Sequence, residues 1–304
     1  MAQKKRPLLT VFIILGLVGL FLGTLSVVAL KFLAPSKKLA FGEKIGVIPV
    51  EGPITSPEET INQLVRFRED GSIKAIILRI NSPGGGVGPS QEIYREIRKT
   101  IKKKKVIASL GGVAASGGYY IASAADKIVA NPGTLTGSIG VIMQFVGFHE
   151  LLKKIGVKME VVKSGEFKDI GSPHRPLTER EKALLQGLIA NIQDQFVKAV
   201  AKGRGLSEEK VRKIADGRIL SGAQAKELGL VDELGNFRDA VELAKQMAGL
   251  KGKVSLVYPR GKEIDFWDLI FKGMARAALK VLHTYTSKVQ YIWWPSSYGL
   301  TESN

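Results

Sequence analysis

Three glycine-rich segments hold the side chains and bare amides from which a hydrolytic site could be built: Asn81-Ser-Pro-Gly-Gly-Gly86, Gly112-Val-Ala-Ala-Ser116-Gly-Gly-Tyr-Tyr120 and Gly133-Thr-Leu-Thr-Gly-Ser138-Ile-Gly140. Glycines let the backbone adopt positive φ and leave N–H groups open to an anion. The first segment departs from a dinucleotide loop, because Pro83 breaks the GxGxxG spacing and no acidic residue is placed to read a ribose. In the second, small neighbours let a substrate backbone reach the Ser116 hydroxyl, and an apolar helix starting behind it favours developing negative charge. A serine at that position could equally be only a helix cap.

A serine hydroxyl attacks only when a base within hydrogen-bond reach removes its proton. A histidine base would be His174 or His149, oriented by Asp126 or Asp169. A lysine base must be neutral, and at pH 7 only roughly one free lysine in 2,500 is, a deficit of about 4.6 kcal/mol. Burial can lower a lysine by up to about 3 to 5 units, so a lysine base is expected to be buried. The chain has no cysteine and 3 histidines, which removes thiol nucleophiles, redox pairs and thiolate metal sites and leaves no HExxH-like spacing. Neither a metal nor another cofactor is expected.

The elements that must hold these segments alternate. Residues 45–50, 75–80, 106–110, 128–130 and 159–162 read as short β-branched strands. Helical patterns over 56–68 and 90–101 lie between them, so the expected class is α/β with a largely parallel sheet and right-handed crossovers. Thr178-Glu-Arg-Glu181 is a capping box opening a long amphipathic helix that stops at Gly203-Arg-Gly205; Ser207 and Ser221 read as further caps, and 239–247 as a last helix.

The ends differ in texture. Lys4, Lys5 and Arg6 close a cytosolic N-terminus (1–6), and the uncharged run from Pro7 to Leu30 predicts a transmembrane anchor over 7–33, followed by a linker over 34–44. A cleaved signal peptide fits less well, because the run is long and ends without a small-residue site. The basic flank predicts N-inside, hence a single-pass cell-membrane protein with an extracytoplasmic body. Residues 250–304 form an aromatic, amphipathic tail suited to packing on the core or to a membrane surface. The net charge of +17 is dispersed, without an aromatic platform, so lipid headgroups rather than nucleic acid are the expected anionic partner.

Four stretches in order, Asn81-Ser-Pro-Gly-Gly-Gly, Ala115-Ser116-Gly-Gly-Tyr-Tyr-Ile-Ala-Ser-Ala-Ala-Asp126, Thr136-Gly-Ser138-Ile-Gly-Val and Lys163-Ser-Gly-Glu-Phe-Lys168-Asp, resemble the bacterial signal peptide peptidase A family over about 45–249. The resemblance implies a Clp/crotonase-like fold of repeated ββα units, a ring-shaped homo-oligomer and a serine-lysine dyad. It implies Ser116 as nucleophile, Lys168 as general base and Ser138 as the hydroxyl that orients the lysine. The amides of Gly84 or Gly85 and of Gly117 would form the oxyanion hole. The function implied is a membrane-anchored serine endopeptidase acting on short hydrophobic peptides such as cleaved signal peptides. An acyl-CoA enzyme on a crotonase-like fold, or a non-catalytic membrane scaffold, would use the same scaffold differently.

Overall fold

A computed structural model describes residues 16–25, 43–259 and, as backbone, 289–292. The chain divides into two units, Met1–Phe41 and Gly42–Asn304. In the first, residues 16–25 form helix α1, where Thr24 Oγ1 donates to the Leu20 and Phe21 carbonyls. Among the described residues no helix is long and apolar enough to cross a membrane. The rest of the expected 7–33 anchor, most of the linker and nearly all of the tail beyond 259 lie outside the described residues.

The second unit is built on strands β1 (Lys44–Glu51), β2 (Ile73–Ser82), β4 (Lys105–Ala115), β5 (Lys127–Ala130), β9 (Glu233–Leu234) and β10 (Ser255–Val257). They pair in the order β10-β1-β2-β4-β5-β9, all parallel. Near-continuous apolar runs such as Ala75-Ile-Ile-Leu78 suit this sheet because both of its faces are covered. Side chains alternate across it. Ile45, Val47, Ala75, Ile77, Ile107 and Val129 pack with Ala240, Val241 and Ala244 of helix α9 (Phe237–Met247). Ile48, Ile76, Leu78, Ile80, Val106 and Ala108 face the larger core on the other side.

That core is closed by α2 (Glu58–Glu69), α3 (Val87–Thr100), α4 (Gly117–Ala122) and α6 (Glu179–Arg204). The long helix starts as expected, since Thr178 Oγ1 accepts from the Glu181 N–H while the Glu181 carboxylate accepts from the Thr178 N–H. It ends at Gly205, which takes the left-handed conformation at φ 64°. Ser207 and Ser221 cap α7 (Glu208–Arg212) and α8 (Gly222–Glu227).

The smaller strands are β3 (Gly84–Gly86), β6 (Leu135–Gly137), β7 (Ile142–Met143), β8 (Ile219–Ser221) and β11 (Val289–Ile292). β6 continues alongside β4, and β8 pairs antiparallel with β6.

One expected strand does not form among the described residues. Met159–Val162 has no ladder partner there, and all four residues are exposed. It belongs to an arm, 144–177, whose only regular element is the short helix α5 (His149–Lys154). Val146, Leu151, Ile155, Val157, Met159, Val161 and Val162 are exposed along this arm, so among the described residues its β-branched side chains meet neither a strand nor a core.

Candidate active site

β4 is an interior strand, and the chain leaves its carboxyl end through Ser116 directly into α4. Ser116 sits at φ 53°, ψ −117°. Only two non-glycine residues among those described have positive φ, and they are Ser116 and Ser138. Such a conformation costs about 1–3 kcal/mol and persists only where its surroundings over-determine it. Here they do. The Ser116 N–H donates to the Gly137 carbonyl at 2.8 Å, the Tyr120 N–H donates to the Ser116 carbonyl at 2.7 Å, and the Ser138 N–H donates to the Arg218 carbonyl at 2.8 Å.

The register Ala115↔Gly137 between β4 and β6 sets the two strained serines side by side at the ends of adjacent strands. Thr134 Oγ1 and Thr136 Oγ1 each donate across that seam at 2.7 Å, to the Gly111 and Ala114 carbonyls. Ser116 occupies the N-cap position yet makes no capping hydrogen bond. The cap explanation of this serine therefore fails. It is buried at 1% exposure, and Ser138 at 7%.

Helix α4 is wholly buried and firmly anchored. Tyr119 is sealed in the core with its hydroxyl donating to the Leu230 carbonyl at 2.9 Å, and burial holds that phenol far above its ordinary range. Tyr120, pushed up to about 12 by burial, packs tilted against Tyr94 and edge-on against Phe196. At the helix start, a Cβ on Gly118 would lie 2.8 Å from the Ser82 carbonyl, so glycine is what lets α4 meet the first glycine-rich segment. As the first helical residue, Gly117 has no intrahelical acceptor for its N–H.

Hydrogen bonds separate the three glycines of β3. The Gly84 N–H donates to Ser82 Oγ at 3.1 Å. The Gly84 carbonyl accepts from the Ile54 N–H, and the Gly86 N–H donates to the Ile54 carbonyl, both at 2.8 Å. Alternation along a strand therefore turns the Gly85 N–H to the opposite edge. On that edge lies β11, antiparallel, with Tyr291 opposite Gly85 and Gln290 opposite Gly86. The other side of β11 pairs antiparallel with β7, Gln290 opposite Ile142. The slot between β3 and β7 thus accepts one extended segment by main-chain pairing.

Lys168 lies on a turn of the 144–177 arm and is exposed, and no hydrogen bond among the described residues joins it to Ser116 or Ser138. The expectation of a buried lysine is therefore not met among the described residues: the turn is tied to α6 through Asp169, Arg175 and Glu181, but the Lys168 side chain itself stays exposed. The histidine alternative does not assemble either. His149 and His174 line a separate surface cavity of about 220 Å³ with Leu152, Lys153 and Met159. Asp126 accepts from the Val106 N–H at 2.8 Å, a structural role at the start of β4.

Asp169 is taken by ion pairs that sequence reading missed: Lys163 at 2.5 Å and Arg175 at 2.8 Å, with Arg175 also paired to Glu181 at 2.5 Å. The available signal was six-residue spacing from Asp169 to Arg175 to Glu181, which no single periodicity marks as a contact.

The sequence profile of peptidase family S49 matches residues 98–251, and that of Clp protease matches 43–135. A putative protease of Synechocystis sp. is 47% identical over 214 residues, covering 70% of this chain and 77% of that relative. A putative protease of Methanocaldococcus jannaschii is 42% identical over 65% of this chain and 64% of its own length. A putative signal peptide peptidase of Enterococcus faecium is 42% identical over 65% of this chain and 58% of its own length. Those last two matches leave more than a third of each relative uncovered. The profile match begins before Ser116 and runs past Lys168, and with these identities it removes the acyl-CoA and scaffold alternatives: the chain belongs to peptidase family S49 and is a serine endopeptidase.

Proposed function

We propose that this endopeptidase cuts short, largely apolar peptides bound as extended strands, such as signal-peptide remnants, while residues 7–33 anchor it in the cell membrane with its body outside the cytoplasm. The observation that supports the reading is the strand slot beside Gly85, whose occupant β11 also touches α4, the helix that starts directly after the strained Ser116. Peptide recognition by strand addition takes its affinity from main-chain pairing and tolerates varied side chains. The anchor concentrates the enzyme where apolar peptides collect.

In this mechanism Ser116 Oγ attacks the substrate carbonyl carbon as the Lys168 amine takes the hydroxyl proton, and Ser138 orients that amine. The N–H groups of Gly85 and Gly117 receive the oxyanion; Gly84 is the weaker candidate because its N–H already serves Ser82. The Lys168 ammonium then protonates the departing amine, and a water deprotonated by Lys168 hydrolyses the acyl-enzyme. An exposed lysine needs cover to work as a base, and a ring of copies built from ββα units would provide it. The exposed apolar side chains of the arm bearing Lys168 suit burial against a neighbouring copy.

The test is turnover of a quenched peptide library by the full chain in detergent. Wild type is expected to cleave apolar peptides, and Ser116→Ala and Lys168→Met to be inactive. Turnover surviving Ser116→Ala would refute the assignment.

A further inference from the structure

Residues 163–169 contain four charged side chains, and three of them are paired. Lys163 Nζ donates to the Glu166 carbonyl at 2.7 Å and to Asp169 Oδ1 at 2.5 Å. Glu166 pairs with Arg180 at 3.0 Å, and the Arg180 guanidinium also lies 5.7 Å from the Phe167 ring centre. Asp169 receives a two-pronged contact from Arg175, Nε to Oδ2 at 2.9 Å and Nη2 to Oδ1 at 2.8 Å. Lys168 alone has no such partner among the described residues.

Arg175 reaches further. Its Nη1 and Nη2 contact both oxygens of Glu181, at 2.8 and 2.5 Å. The Glu181 carboxylate is nearly sealed, and it also accepts from the Thr178 N–H at 2.9 Å. One planar guanidinium thus bolts the Lys168 turn to the first turn of α6, a geometry that a lysine in its place could not reproduce.

We propose that Arg175 is a positioning residue for the base: it clamps the Asp169 carboxylate against α6, fixing the turn that presents Lys168 and keeping the adjoining carboxylate away from the Lys168 amine. The proposal rests on Lys168 being the base. A carboxylate free to pair with that amine would favour its charged form and so withdraw the base near neutrality. The groups facing the turn are Lys163, Glu166 and Asp169 from the turn itself, and Arg175, Arg180 and Glu181 from the segment and helix packed against it. His174 lines the separate cavity with His149.

The experiment compares pH–rate profiles of the full chain in detergent for wild type, Arg175→Lys, the double variant Arg175→Lys/Asp169→Asn, and Lys168→Met. A lysine at position 175 keeps a positive charge beside Glu181, so folding is retained, and thermal melting of each variant checks this. Arg175→Lys is expected to lower kcat about tenfold with KM within about twofold, and to move the acid limb up by about one pH unit. Removing the carboxylate in the double variant is expected to return the limb to the wild-type position. A limb unmoved in Arg175→Lys, or still displaced in the double variant, overturns the positioning role while Lys168→Met stays inactive. Activity in Lys168→Met overturns the lysine base itself, and the positioning role with it.

Discussion

At the scale of single residues, the two serines separate what is legible in a sequence from what is not. Small residues on both sides of Ser116, and Gly137 just before Ser138, announce backbone contortion, and both serines do carry positive φ. Their juxtaposition is not legible, because it depends on β6 running beside β4, a pairing between residues about twenty apart with no local mark. If Ser138 orients the base, Ser138→Gly should relieve backbone strain and raise the melting temperature while lowering kcat. A melting curve and an initial-rate assay on one preparation check both signs. Gly118 gives a purer packing test. Gly118→Ala would press a methyl group onto the Ser82 carbonyl, so a stability loss of about 1–3 kcal/mol is expected by denaturant titration.

At the scale of elements, the helices and central strands were readable because their signals are local. The capping box at Thr178 and the terminator at Gly205 sit within a turn of the ends they set. Thr178→Ala should cost about 1 kcal/mol, seen as a lower melting temperature. The arm was misread at Met159–Val162 because β-branched composition reports a preference for packed surface, and the described residues offer that segment none.

The charged clamp on this arm also gives it an acid limit. Arg175 holds the Glu181 carboxyl down to about 2, and Arg175 with Lys163 holds that of Asp169 well below the usual carboxylate range. Groups depressed in the folded state stabilise it above their unfolded values and lose that contribution as the pH falls through the folded ones. Residues 163–181 should therefore loosen between about pH 4.5 and 2. Hydrogen exchange across that range should show the loss there before it appears in β1, β2 and β4.

At the scale of the whole molecule, the strand over 289–292 was not foreseen from an aromatic tail that reads as a packing or interfacial segment. Main-chain pairing with Gly84–Gly86 asks little of side-chain pattern, so composition is silent about it. Because this segment fills the same slot that an extended substrate would use, ending the chain after Tyr258 should lower KM for short peptides with little change in kcat. Equal KM in the two forms would show that the segment does not compete. If copies assemble through the arm's exposed apolar residues, Leu151→Asp and Ile155→Asp should shift the particle to smaller mass by light scattering and abolish turnover together.

The central claim, that a lysine amine activates Ser116, is tested most directly by the rate at which a fluorophosphonate labels the enzyme across pH, with the adduct located by mass spectrometry. The account predicts one adduct, on Ser116, forming along a single sigmoid that rises with pH and slowed by a factor of about 10² to 10⁴ in Lys168→Met. Labelling of Ser116 at an undiminished rate in Lys168→Met, or an adduct on another residue, would contradict it.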